Sequence, residues 1–129
     1  MRSLLLLAGA AAFFLSASAA GPATAAADPL GDEARQAGKP LIVDFGMTRC
    51  LQCIEQSKTV DELKAAIGDR VLLKFVHVGQ EEALAEAYKV LLIPTLVYFD
   101  ARGNEVFRNV GQMKKEPMLA KARELGLIE

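Results

Sequence analysis

Two cysteines three apart, Cys50 and Cys53, follow closely on the apolar run Leu41-Ile42-Val43-Asp44-Phe45. That juncture constrains the fold more than any other stretch. A short apolar run reads as a strand buried on both faces. A strand that hands a Cys-x-x-Cys pair to the start of a helix is a redox arrangement, because helix N-terminal amides favour a thiolate and a second sulfur follows one turn later. The only intrachain bridge available closes a tiny loop and constrains little of the unfolded chain, so a purely structural staple is the weaker explanation.

The chain has 129 residues, enough for one ordinary domain. Its beginning reads as a secretory signal peptide. Met1-Arg2-Ser3 is a short basic start, Leu4 to Leu15 is apolar, and small residues run from Ser16 to Ala27. The apolar core is shorter than the roughly 20 residues that span a bilayer. Cleavage fits after Ala19 or after Ala27, with Ala27 preferred because the alanine-rich tract stops there. The expected organisation is therefore a signal over 1–27 and a single domain over 28–129. Removing the signal loses Arg2 and no acidic residue, so the formal charge moves from −1 to −2. No basic cluster is present to bind nucleic acid.

The remaining pattern alternates helices and strands. Pro29 to Gly38 reads as a short helix, Leu41 to Phe45 as a central strand, and Cys50 to about Lys58 as a helix. Thr59-Val60-Asp61-Glu62 has the form of a capping box, which predicts a kink or break before a second helical piece ending near Gly68. Arg70 to Val78 reads as a strand, Gln80 to Lys89 as a helix, and Ile93 to Phe99 as a strand that starts at a proline. A short turn at Asp100 to Asn104 leads to a strand over Glu105 to Val110, predicting an antiparallel hairpin. Met118, Leu119, Ala122 and Leu125 form the stripe of a closing helix. The expected class is α/β: a mixed four-stranded sheet, its first two strands parallel, with helices on both faces.

Several motifs together resemble the thioredoxin family over essentially all of 28–129. They are Leu-Ile-Val-Asp-Phe before Cys-x-x-Cys, Ile93-Pro94-Thr95-Leu96 about 40 residues later, Asp44 six residues before Cys50, and Gly111 after the last strand. Within the family the sequence is most similar to the C-terminal periplasmic domain of the transmembrane reductase DsbD. The shared features are Gly38-Lys39-Pro40, Val71 to Leu73, Phe99 to Glu105, and Arg108-x-x-Gly111-x-Met113. Two departures stand out. Arg49 replaces the tryptophan usual before the first cysteine, and Leu51-Gln52 separates the pair.

The resemblance implies a thioredoxin fold and a thiol–disulfide oxidoreductase acting through a Cys50–Cys53 dithiol/disulfide cycle, in the direction of reduction and in the periplasm. Cys50 is then the nucleophile and Cys53 the resolving thiol. Asp44 exchanges a proton with Cys53, with burial raising its pKa, and Lys74 is its partner. Pro94 is a cis-proline that presents Ile93 to an extended substrate, with Thr95 and Gly111 beside it. No nicotinamide or flavin fingerprint is present, so the expected electron source is a membrane carrier of the DsbD or CcdA type, and the substrates are protein disulfides.

Other readings stay open on the residues. Arg49 either lowers the Cys50 pKa or only occupies the tryptophan's place. Met47 and Met113 fit a substrate surface, although core filling suits Met113 better. His77, the only histidine, fits a structural or surface role, and two cysteines with one distant histidine do not make a zinc site. An oxidase or isomerase, or a binding module without turnover, would use the same motifs.

Overall fold

The computed structural model describes residues 26–129. The signal expected over 1–27 lies outside the described residues except for its last two positions. The elements follow in the order α1 (Pro29–Ala37), β1 (Leu41–Gly46), α2 (Leu51–Ile67), a 3-10 turn (Gly68–Arg70), β2 (Leu72–His77), α3 (Glu82–Ala87), β3 (Thr95–Phe99), β4 (Glu105–Val110) and α4 (Lys115–Glu124). No helix among the described residues is long and apolar enough to cross a membrane.

The strands form one mixed sheet in the order β2-β1-β3-β4. β1 pairs parallel with β2 and antiparallel with β3, and β3 and β4 form the expected hairpin. All six residues of β1 are buried. Alternation along β1 and β3 explains why. Leu41, Val43, Phe45, Val97 and Phe99 point into a core with Leu30 and Ala34 of α1 and Ala85 of α3. Ile42, Leu96 and Tyr98 point the other way, onto Leu63 and Ile67 of α2 and Met118 and Ala122 of α4. The central strands are thus covered twice, and an apolar run is what two covers require.

Asp28 caps α1, accepting from the Gly31 N–H at 3.1 Å. Gly38 ends α1 in the left-handed conformation, where its missing Cβ removes the steric cost.

The long helix differs from expectation. α2 runs unbroken for 17 residues through Thr59. The Thr59 hydroxyl donates back to the Glu55 carbonyl at 3.1 Å instead of capping a new helix. The reason is packing: Cys53, Gln56, Leu63 and Ile67 are buried, and partly buried Val60 lies between them. That stripe continues at three- and four-residue spacing across the capping motif, so a break would lift half of it off the sheet. β3 starts at Thr95, two residues later than expected, because ladder pairing begins at Phe45↔Thr95 and Thr95↔Val110. β2 and α3 are likewise shorter than the sequence patterns, by a few residues at their ends.

Candidate redox site

The site forms where β1 ends and α2 begins. Gly46 closes the strand, Met47 to Arg49 make a short loop, and Cys50 is the N-cap residue of α2. Cys50 and Cys53 are joined as a disulfide with Cα atoms 5.1 Å apart. The Cys53 N–H points at the Cys50 sulfur, 3.2 Å away. This amide is one of the donors a helix start leaves unpaired, and it favours an anion at Cys50 whenever the bond is open. Exposure differs between the two cysteines: Cys50 is half-buried, whereas Cys53 is 1% exposed. An incoming disulfide therefore meets Cys50 first.

Gly46 lets the strand approach the helix. A Cβ there would stand 3.1 Å from the Cys53 Cβ, 3.1 Å from the Phe75 ring and 3.4 Å from the Cys53 sulfur. Two residues back on the same face of β1 lies Asp44, 1% exposed. One carboxylate oxygen accepts from the Ser57 hydroxyl at 3.3 Å, and the other has no hydrogen-bond partner among the described residues. Burial pushes the Asp44 carboxyl up to about 6, and the Ser57 hydrogen bond opposes that rise. A cavity of about 190 Å³ opens beside it, lined by Asp44, Ser57, Asp61, Lys64 and Phe75 among others.

The expected pairing of Lys74 with Asp44 is not present. Lys74 is the register partner of Val43, and Phe75 is the partner of Asp44. Register partners share a face, so Lys74 projects to the α1 side and Asp44 to the α2 side. The Lys74 ammonium pairs with Glu33 of α1 at 2.7 Å. Ser57, which sequence reasoning did not single out, takes the place beside the carboxylate. The available signal was its position four residues after Cys53, on the same helix face.

The substrate-side residues are brought together at the same end of the sheet. The Ile93–Pro94 peptide bond is cis. The Gly111 N–H donates to the Pro94 carbonyl at 2.8 Å. The Thr95 side chain is buried, and its hydroxyl donates to the Leu92 carbonyl at 2.6 Å. Gln112 reaches the Gln52 carbonyl between the cysteines at 3.3 Å, tying this loop to α2. Gln56, also unremarked in the sequence, is buried and clamps the backbone of Met113 from both sides, accepting from its N–H at 2.7 Å and donating to its C=O at 3.1 Å.

The remaining candidates separate. Arg49 is exposed. Met113 packs against the α2–α4 core, whereas Met47 lines a surface hollow with Ile54 and Phe75. His77 is the register partner of Gly46 and lies edge-on to Phe75 at 6.4 Å, its Nδ1 buried without a hydrogen-bond partner among the described residues. Three leucines, one between the cysteines and two before the cis-proline, are strongly exposed. Leu51 is 82%, Leu91 91% and Leu92 66% exposed. Leu91 and Leu92 directly precede Ile93-Pro94, a juxtaposition visible in the sequence but not weighed there.

Comparison with known proteins agrees with this geometry. A family model described as a thioredoxin-like domain matches residues 31–126. The thiol:disulfide interchange protein DsbD of Salmonella paratyphi A is 36% identical over 85 residues, which is 60% of this chain and 15% of that protein. The chain thus spans only a small part of the DsbD relatives it matches. Thioredoxin of Alicyclobacillus acidocaldarius is 27% identical over 93 residues, covering 72% of this chain and 88% of that one. Among solved structures, Fasciola hepatica thioredoxin superposes with a TM-score of 0.62 at 29% identity, covering 71% of this chain and 85% of that one. With the matched region, the four-stranded sheet and the paired cysteines at the head of α2 all in agreement, the chain belongs to the thioredoxin-like family, and its chemistry is that of a thiol–disulfide oxidoreductase.

Proposed function

We propose that the chain is an exported reductant of protein disulfides. The observation that carries the reading is the asymmetry of the pair: a half-exposed Cys50 on the helix cap, a buried Cys53, and a buried carboxyl near it whose pKa is raised to about 6. In the reduced protein, the Cys50 thiolate attacks a substrate disulfide. One substrate sulfur leaves as a thiolate and a mixed disulfide forms. Asp44 takes the proton from the Cys53 thiol, with water bridging the gap. The Cys53 thiolate then attacks the Cys50 sulfur and expels the second substrate sulfur. Asp44 returns the Cys53 proton to one substrate thiolate, solvent supplies the proton that Cys50 released on ionising to the other, and two electrons have left the cysteine pair.

The cycle closes when another dithiol protein reduces Cys50–Cys53. The similarity to a thiol:disulfide interchange protein supports a membrane carrier of the DsbD or CcdA type in that role. Export rests on the basic, apolar and small-residue succession of residues 1–27. Ile93, Thr95 and Gly111 frame the docking edge for an extended substrate, and Leu51, Leu91 and Leu92 give it an apolar surface. Arg49, exposed beside Cys50, adds a positive charge to the approach.

The test is the reduction potential of the Cys50–Cys53 pair on residues 28–129, equilibrated against defined thiol buffers. The expected value lies near that of thioredoxin, about −270 mV. A value near about −120 mV would make the protein a disulfide donor or isomerase instead. A pair that never exchanged would make it a binding module.

A further inference from the structure

We propose that Ser57 is a positioning residue for the proton step, its hydroxyl taking the place of a partner cation in holding Asp44 toward Cys53. The inference rests on the reading of Asp44 as the proton acceptor and goes beyond it.

Cys53 and Ser57 are four residues apart on α2 and so lie above one another on the face that meets β1. In the adjacent strand Asp44 is bonded to Ser57, and Gly46, two residues along, abuts Cys53. A buried carboxylate without a cation normally needs several donors to remain ionised. Here it has one. The Ser57 hydroxyl donates to Oδ2, and Oδ1 has no partner among the described residues. The nearest lysine in sequence register points to the opposite face of the sheet and is engaged by Glu33.

Every element packed against Asp44 agrees. From β2, Phe75 stands beside it and His77 lies two residues further along the same face. From β3, its register partner is apolar Leu96. From α2, Ser57 reaches it while Cys53 abuts Gly46 two residues along β1; Asp61 and Lys64 line the cavity alongside, as does Lys74 of β2, whose ammonium is held by Glu33. Of these groups only the serine hydroxyl is bonded to the carboxylate. A single donor on one oxygen fixes the plane of the group and leaves the other oxygen free to receive a proton. The cavity has room for the water that would carry that proton to and from solvent.

The experiment is a carbon-13 carboxyl NMR titration of the oxidised protein, in which the disulfide removes both thiols from the pH range. Wild type, Ser57→Ala and Ser57→Thr are compared. Losing the only donor to the charged form should raise the Asp44 midpoint by about half a unit to one unit, and threonine, which keeps the hydroxyl, should restore it. An Ser57→Ala midpoint equal to wild type, or an Ser57→Thr shift as large as that of alanine, overturns the proposal. The resolving step, followed from pH 5 to 8, separates this assignment from the one beneath it. If Asp44 moves with Ser57 and the acid limb of the rate moves too, both stand. If Asp44 moves while the limb stays, Ser57 positions the carboxylate and the proton-acceptor reading of Asp44 is the part that fails.

Discussion

Asp44 should make this protein less stable at neutral pH than in mild acid, and Asp44→Asn should remove that penalty. The carboxyl titrates at about 6 in the fold, against 3.8 for the ordinary group. Between those values the folded state holds a proton that the unfolded state has released, so stability falls as pH rises through this window. Below the window both states are protonated and the penalty is absent. Above about pH 6 it is fully present. A shift of about two units at about 1.4 kcal/mol each gives a penalty on the order of 3 kcal/mol. That is a large share of the roughly 5–15 kcal/mol typical of a whole domain. The assay is urea denaturation of the oxidised wild type and Asp44→Asn at half-unit steps from pH 3 to 8. The amide adds its own constant hydrogen-bonding change, so the informative quantity is the difference between the two proteins as a function of pH. It should grow in favour of Asn by roughly 3 kcal/mol from pH 3.5 to 7 and level off. A pH-independent difference, or one growing the other way, would show that the fold does not hold Asp44 in a penalised charged state.

Two further predictions concern the sulfurs and the surface around them. Cys53→Ala should accumulate mixed disulfides with substrate proteins on non-reducing gels, and Cys50→Ala should form none; equal trapping by both would reverse the assignment of nucleophile and resolving thiol. Leu91→Ser with Leu92→Ser should lower kcat/KM for protein disulfides by about tenfold, from the apolar area no longer covered on docking. Reduction of a small-molecule disulfide and the melting temperature should stay as in wild type, and a matched loss on both substrates would place these leucines outside the docking surface.

How much of this was legible in sequence follows from the range of the forces involved. Local signals succeeded where one element's own residues decide: the Cys-x-x-Cys pair at a strand-to-helix junction, the hairpin turn at Asp100 to Asn104, and an apolar run in β1 that only a doubly covered central strand accommodates. The same local reading failed at Thr59. A capping motif offers one or two hydrogen bonds, whereas the stripe from Cys53 to Ile67 buries a row of side chains against the sheet, and that burial outweighs the caps and keeps α2 whole. Lys74 and Ser57 show the other limit. Composition places a lysine on the strand beside Asp44, but register decides its direction, and a one-residue step along a strand turns a side chain to the opposite face. The redox pair, the order of the elements and the need for covers on both sides of the sheet are all written along the chain, in spacings of a few residues. Which group meets the buried carboxylate is a property of the assembled fold alone, because it depends on two strands and a helix meeting in one register.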